Sequence, residues 1–115
     1  MNIEELRNFC LSLKGAEESM PFDDKTLVFS VKGKMFCATD INTYEFVNLK
    51  CDPDKAIQLR EQYNEVIEGY YMNKKHWNTV YANRELEDKK LRELIDHSYD
   101  LVLTSLPKKL KENLL

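Results

Sequence analysis

The two histidines are the residues of this chain that could most readily serve in catalysis or metal binding. His97 precedes Ser98 on a predicted helix, where adjacent side chains point about 100° apart and cannot pair as nucleophile and base. His76 precedes Trp77 on a predicted strand, where successive side chains point to opposite faces. Neither of the zinc-binding spacings HxxxH and HExxH occurs in the sequence. We therefore expect no catalytic residue and no metal site, with both histidines in structural or surface positions.

The three cysteines are widely spaced and form no CxxC pair, which argues against a zinc knuckle and a thioredoxin-like motif. Cys10 falls on the apolar face of a predicted helix, and Cys37 falls within a predicted strand. A free cysteine commonly packs as a small hydrophobic residue. We expect Cys10, Cys37 and Cys51 to be reduced, structural thiols of a cytoplasmic protein.

The three glycines, at positions 15, 33 and 69, form neither GxGxxG nor GxxxxGK[ST]. These are the loops whose backbone N–H groups hold the phosphates of common nucleotide cofactors. The sequence therefore excludes the familiar nucleotide-binding motifs, and no cofactor is expected.

Lysines cluster twice, and one cluster lies beside aromatic residues in a predicted strand connection. Aromatic rings beside lysines can stack on nucleic-acid bases while the ammonium groups contact phosphates. The alternative interpretation is that Trp77 belongs to the core and the lysines form a solvated surface. Lys32 and Lys34 would extend a basic rim if the fold brings these connections together. The candidate nucleic-acid-binding residues are Lys74, Lys75, His76, Tyr71, Lys108, Lys109 and Lys111.

The overall charge does not favour strong non-specific binding to phosphates. The chain has 115 residues, a net charge of −3 and a pI near 5.4, and such binding grows with the number of lysines and arginines that neutralise phosphates. The charge is uneven, at −4 over residues 1–66 and +1 over residues 67–115. The length is typical of one domain, residues 1–115. We expect no signal peptide and no membrane span, because no apolar run approaches the required length.

Apolar spacing and turn residues predict the elements. Helices are expected over residues 3–14, after Asp52-Pro53, and from near Glu87 until Pro107 interrupts. Strands are expected at 16–22 (an edge strand), 26–31, 35–39, 44–49, 66–72 and 76–81. The fold class is α+β, with the order α-β(3–4)-α-β2-α. We expect two layers, an antiparallel sheet of about five to six strands with helices mainly on one face.

The C-terminal tail carries a leucine stripe, which packs either on this chain's own sheet or on a partner. Its members are Leu106, Leu110, Leu114 and Leu115.

Two strings of the sequence are distinctive. They are GYYMNKKHWNTV at residues 69–80 and LRELIDHSYDLV at residues 91–102, the second followed by LPKK at residues 106–109. Both strings resemble the MmcQ/YjbR family of small bacterial proteins, and MPFD at 20–23 and VKGKMF at 31–36 match the front half of that family. The resemblance covers essentially the whole chain. It implies a YjbR-like α+β fold, related in shape to secretion chaperones and frataxin-like domains.

The resemblance also implies DNA binding, since family members are commonly called DNA-binding proteins with a double-wing architecture. It supplies no catalytic residues. For some matching positions, the alternative to a DNA-binding role is a structural one. Trp77 would fill the core, and Ser98 would let a helix approach the sheet closely. The signature positions of this kind are Trp77, Asn78, Ser98, Tyr99 and Pro107.

The leading hypothesis is a cytoplasmic, non-enzymatic domain that binds DNA with low sequence specificity, as a monomer or weak homodimer without membrane contact. The alternative is a protein-interaction or chaperone-like module that uses an exposed sheet face or the leucine stripe. A third class, an enzyme, would require a deep pocket that contains His76 and a buried carboxylate.

Overall fold

One antiparallel sheet forms the centre of the fold. The computed structural model describes residues 1–69, 73–82 and 85–114, and within them six strands and four helices are found. In chain order they are α1 (Ile3–Ser12), β1 (Ala16–Ser19), β2 (Thr26–Val31), β3 (Lys34–Asp40), β4 (Phe46–Lys50), α2 (Pro53–Gln62), β5 (Val66–Glu68), β6 (Trp77–Tyr81), α3 (Asp88–Ser105) and α4 (Lys108–Glu112).

The strands lie in the order β1-β2-β3-β4-β6-β5, and every neighbouring pair is antiparallel. The strand order follows the sequence except that β6 lies between β4 and β5. The predicted α+β class and antiparallel sheet are therefore confirmed.

The helices cover one face of the sheet. Phe29, Cys37 and Leu49 are aligned across β2, β3 and β4, so they share a face, and all belong to the hydrophobic core. A β-bulge after Phe29 lets two successive residues of β3 point to this face. The ring of Phe36 meets Tyr99 of α3 edge-on at 5.4 Å, and Cys37 of β3 and Cys10 of α1 are both fully buried in the same core.

Local signals explain where the helices begin. Asn2 and Glu5 form a capping box at α1, in which each side chain bonds the other residue's backbone N–H. Asp52 caps α2 by accepting from the N–H of Lys55, with Pro53 in the first turn. The two-residue turn between β2 and β3 has positive φ at both Lys32 and Gly33, the geometry that matches the twist of a hairpin.

Three predicted boundaries are wrong. The edge strand ends at Ser19 instead of residue 22, since Pro21 has no N–H to donate to a ladder. Tyr44 lies in a turn with φ of 42° and is buried there, so β4 begins only at Phe46. The strand predicted at 66–72 ends at Glu68, and residues 70–72 of that prediction lie outside the described residues.

The three cysteines are buried and free, as predicted. Among the helices that the structure describes, none is both long enough and apolar enough to cross a membrane.

Candidate nucleic-acid interface

The antiparallel topology gives the sheet two chemically different ends. We call the end of the sheet at which β2 ends and β3 begins the lysine end. Because neighbouring strands alternate in direction, the β4–α2 and β5–β6 connections lie at this same end. So do the α1–β1 connection and α4, since Ala16 pairs with Val31 and Leu114 contacts Gly15. Four connections and one short helix, all far apart in sequence, therefore meet at one end.

Each of these five segments carries a lysine or has one on the strand residue next to it. Two of them contain the predicted lysine clusters, a third contains the two hairpin lysines, and the other two contribute single lysines that the sequence did not single out. The lysines of this end are Lys14, Lys32, Lys34, Lys50, Lys74, Lys75, Lys108, Lys109 and Lys111.

The turn that carries the first cluster is held in shape by hydrogen bonds. The side-chain oxygen of Asn73 accepts from the N–H of Lys75, and the backbone carbonyl of Asn73 accepts from the N–H of His76. The carbonyl of His76 in turn accepts from the N–H of Cys51, which joins the turn to the start of α2. Lys74 and Lys75 are exposed, and the ammonium of Lys74 lies 3.7 Å from the carboxylate of Glu68.

The second cluster lies on α4, which packs against the chain's own core. The carbonyl of Pro107 accepts from the N–H groups of Leu110 and Lys111 and so starts the helix. Leu106 and Leu114 are buried and Leu110 packs against the core. The described leucines of the stripe thus pack within the chain, and Leu115 lies outside the described residues.

Acidic side chains are fewer at the lysine end than at the opposite end. Asp52, Asp54, Glu68 and Glu112 lie at the lysine end, where Asp52 caps α2 and Glu68 is within 4 Å of both Arg60 and Lys74. The opposite end, which we call the acidic end, carries one carboxylate or more in every strand connection. Its carboxylates are Asp23, Asp24, Asp40, Glu45, Glu65, Glu85, Glu87 and Asp88.

The spacing at the lysine end suits a polyanion. The β2–β3 and β5–β6 turns lie three strand positions apart in the sheet, which is roughly 14 Å at about 4.8 Å per strand. Successive phosphates of one DNA strand are spaced about 3.4 Å along the helix axis. Lysines on the two turns could thus contact several phosphates of one backbone simultaneously.

The remaining candidates differ in position. His76 and Trp77 are half-buried where β6 begins, so Trp77 lies beside the lysine turn and is not a core residue. Trp77 packs tightly against Gly69, since a Cβ at that glycine would lie 2.8 Å from the Trp77 carbonyl oxygen. Tyr71 lies outside the described residues. The candidate stacking group that the structure describes is therefore His76, with Trp77 beside it.

Three signature residues make contacts inside the fold. The fully buried hydroxyl of Ser98 donates to the carbonyl of Phe36 at 2.5 Å and accepts from the N–H of Lys50 at 2.9 Å. The hydroxyl of Tyr99 donates to the carbonyl of Lys14. Ser98 and Tyr99 therefore hold α3 on the sheet and next to two backbone segments of the lysine end. The side-chain amide of Asn78 donates to the carbonyl of Ala56 at 3.4 Å.

A small cavity of about 10 Å³ on the helix-covered face of the sheet is lined in part by Cys51, His97 and Asn78. Burial raises the pKa of the Cys51 thiol to about 11, so the thiol is protonated and weakly nucleophilic at neutral pH. The Nε2 atom of His97 accepts from the N–H of Asp52, so it is not available as a base for the thiol. These side chains therefore do not form an activated nucleophile.

Comparison with known proteins places the chain in a family. The sequence model of the YjbR family matches residues 11–101. The uncharacterised protein YbdF of Escherichia coli O157:H7 is 36% identical over 107 residues, which are 92% of this chain and 88% of that protein. The uncharacterised protein YjbR of Escherichia coli K12 is 34% identical over 108 residues, which are 93% and 92% of the two chains.

Solved structures agree. The crystal structure of Deinococcus radiodurans protein DR2400, which has a DUF419 domain, superposes with a TM-score of 0.92 at 36% identity, covering 98% of this chain and 87% of that one. A protein from Pseudomonas syringae shares the fold, with a TM-score of 0.77 at 24% identity over 89% and 99% of the two chains. With its matching sequence and fold, the chain belongs to the YjbR family.

Proposed function

We propose that the protein is a non-enzymatic domain that binds the DNA backbone through its lysine end with low sequence specificity. The observation that supports this most is the convergence of both predicted lysine clusters with Lys32, Lys34 and Lys50 at one end of the sheet. The acidic side chains that make the net charge −3 are concentrated at the opposite end, so the overall pI understates the local positive potential.

Low specificity follows from the kind of groups that this end offers. Lysines contact phosphates, which orient a protein on DNA but carry no sequence information. The helix that carries the second lysine cluster, α4, is five residues long, which is too short to fill the major groove. The proposal sets the protein in the cytoplasm, where its three free thiols would stay reduced.

The test is fluorescence anisotropy of a labelled duplex of roughly 20 base pairs across a salt series from about 50 to about 200 mM. If about five lysines neutralise phosphates, the slope of log K against log salt is about −4.5, and affinity falls roughly 500-fold over that range. Two unrelated duplex sequences should bind within a few-fold of each other. Absence of binding at the lowest salt would contradict the function.

The site is tested by Lys74→Glu combined with Lys75→Glu. Loss of two phosphate contacts should abolish binding at about 200 mM salt and reduce the slope at low salt to about −2.7. Thermal stability should stay nearly unchanged, since both side chains are exposed. The matched control is Lys25→Glu with Lys89→Glu, an equal charge change at the acidic end, which should retain most of the affinity and the original slope. Equal losses in the two double variants would refute the lysine end as the site.

The alternative function is a protein-interaction module that uses the sheet face opposite the helices, where Phe46 and Tyr81 form an edge-to-face pair at 6.2 Å. The leucine stripe gives this alternative little support, since its described leucines pack on the chain's own core. A negative DNA titration followed by co-purification of a protein with the wild-type chain would favour this module.

A further inference from the structure

An open apolar groove lies between α1 and the edge of the sheet. Its volume is about 440 Å³, within the range of sites that hold a small ligand or a large side chain. Ile3 of α1 forms one wall, Met20 and Ile41 form the opposite rim, and the buried Leu27 of β2 forms the floor. The groove lies toward the acidic end, away from the lysine end.

Exposed apolar side chains concentrate at this groove. In the part of the chain that the structure describes, four large apolar side chains are exposed: Phe22 at 67%, Ile57 at 51%, Ile41 at 42% and Met20 at 38%. Met20 and Ile41 line the groove, and Phe22 follows Met20 in the same connection. Single exposed apolar residues are ordinary, but several around one groove mark an interaction surface.

The walls of the groove are held in position before anything binds. Arg7 of α1 and Glu18 of β1 form a two-pronged ion pair, with both nitrogen–oxygen distances at 2.6 Å, that closes one end. The carboxylate of Asp23 accepts from the N–H groups of Lys25 and Thr26 and shapes the connection that carries Met20. A preformed groove loses little conformational entropy on binding.

A second turn fixes the other rim. The carboxylate of Asp40 accepts from the N–H groups of Asn42 and Thr43, and the N–H of Ile41 donates to the carbonyl of Lys25. The side chain of Ile41 is thus exposed on a rigid turn, and its exposure is not a consequence of a loose loop.

The charge around the groove selects its partner. Glu4 lines the groove, and Asp23, Asp24 and Asp40 lie in or directly beside the two connections that form its rim. These four carboxylates outnumber Lys25, the cation in the connection that carries Met20. Arg7 is already paired with Glu18, so it offers little attraction to an anionic partner. Complementary charge favours a cationic partner and repels an acidic one.

We propose that this groove binds a segment of another protein in which a large apolar side chain is flanked by lysines or arginines. The apolar side chain would enter between Ile3, Met20 and Ile41 above Leu27, and the flanking cations would face Glu4 and the rim aspartates. The site is separate from the lysine end, so it does not depend on DNA binding.

The test is NMR titration of the isotope-labelled full chain with three short peptides. The first alternates leucine with lysine, the second alternates leucine with glutamate, and the third replaces the leucines of the first with serine. We expect only the leucine–lysine peptide to bind, with shifts at Ile3, Met20, Leu27 and Ile41. Equal binding of the serine–lysine peptide would reveal general attraction to an acidic chain, and equal binding of the leucine–glutamate peptide would remove the charge argument. Either result, or no shift at the groove with millimolar leucine–lysine peptide, would overturn the proposal.

Variants locate the site. Met20→Ser with Ile41→Ser removes exposed apolar surface from the groove rim and should weaken binding of the leucine–lysine peptide about 10-fold or more. The matched control is Ile57→Ser, which removes an equally exposed apolar side chain from α2 and should leave the affinity unchanged. A circular-dichroism melt of each variant verifies that it is folded. Equal weakening by the control would place the binding site elsewhere and reject the groove.

Discussion

At the scale of single residues, the hydroxyl of Ser98 joins three elements. It is fully buried on α3, donates to the carbonyl of Phe36 on β3 and accepts from the N–H of Lys50 on β4. Since a buried polar group left without a partner is costly, one oxygen atom here stabilises the attachment of α3 to two strands. Lys50 ends β4 at the lysine end, so this contact also positions part of the candidate interface.

Ser98→Ala should lower the free energy of unfolding by about 1–3 kcal/mol, because it deprives the Lys50 N–H of its acceptor and the Phe36 carbonyl of a donor. Urea denaturation followed by circular dichroism measures the change. Ser105→Ala is the control: its hydroxyl bonds the Val102 carbonyl of its own helix at an exposed position, so a change within about 0.5 kcal/mol is expected. Similar losses in both variants would contradict the role given to Ser98.

His97 makes the stability of the fold depend on pH. Burial, followed by the charge of Lys55, lowers the pKa of His97 from its ordinary value of 6.5, and its Nε2 atom accepts from the Asp52 N–H. The unfolded chain therefore takes up this proton at higher pH than the folded chain does. The free energy of unfolding should fall as the pH drops below about 6.5.

Urea midpoints measured between about pH 7.5 and about pH 5 should decrease in the wild-type chain and decrease less in His97→Gln, which cannot be protonated. Carboxylates whose pKa is lowered in the fold, such as Glu18 and Asp23, contribute at more acidic pH and do not obscure this window. An identical pH dependence in the variant would show that His97 is not the titrating group.

At the scale of elements, two glycine positions determine how connections at the lysine end are built. Gly15 and Gly33 both have positive φ, which L-residues with a side chain rarely adopt. A Cβ at Gly33 would meet no atom within 4 Å, whereas a Cβ at Gly15 would collide with the side chain of Leu114. Gly15 therefore serves both the α1–β1 turn and the docking of the segment that follows α4.

Gly33→Ala should destabilise the protein by about 1–2 kcal/mol through backbone strain alone, and Gly15→Ala by more, since Leu114 must also move. Thermal and urea denaturation of both variants measure this difference. In a Leu114→Ala background, the effect of Gly15→Ala should approach that of Gly33→Ala, because the collision is then removed. An unchanged effect in that background would show that Leu114 does not pack on Gly15.

Most elements could be predicted because their signals are local. The apolar spacing from Ile3 to Leu13 and the Lys32-Gly33-Lys34 turn depend on neighbours within a few residues, and both predictions agree with the structure. The prediction that Tyr44 lies in a strand is wrong: its N–H donates to the carbonyl of Asp40 in a turn, and its hydroxyl bonds the carbonyl of Met1, 43 residues away in sequence. No local pattern reveals such a contact.

At the scale of the whole molecule, the topology separates charge that the composition mixes. Alternating strand directions bring lysine-bearing connections to one end and carboxylate-bearing connections to the other. A net charge of −3 therefore coexists with a lysine-rich surface. The paired charge reversals at Lys74 and Lys75 and at Lys25 and Lys89 measure the consequence, since they differ only in which end they alter.

The sequence by itself determined the α+β class, the helices and most strands, the family, and the two lysine clusters at residues 74–75 and 108–111. Each rests on periodicity, turn chemistry or a contiguous motif, which are properties of neighbouring residues. Only the tertiary structure decided that β6 lies between β4 and β5, that Lys14 and Lys50 join the clusters, and that Met20 and Ile41 line one groove. The physical reason is that strand pairing and the packing of connections depend on which distant apolar faces are buried together, and this is not encoded in any short stretch of the chain.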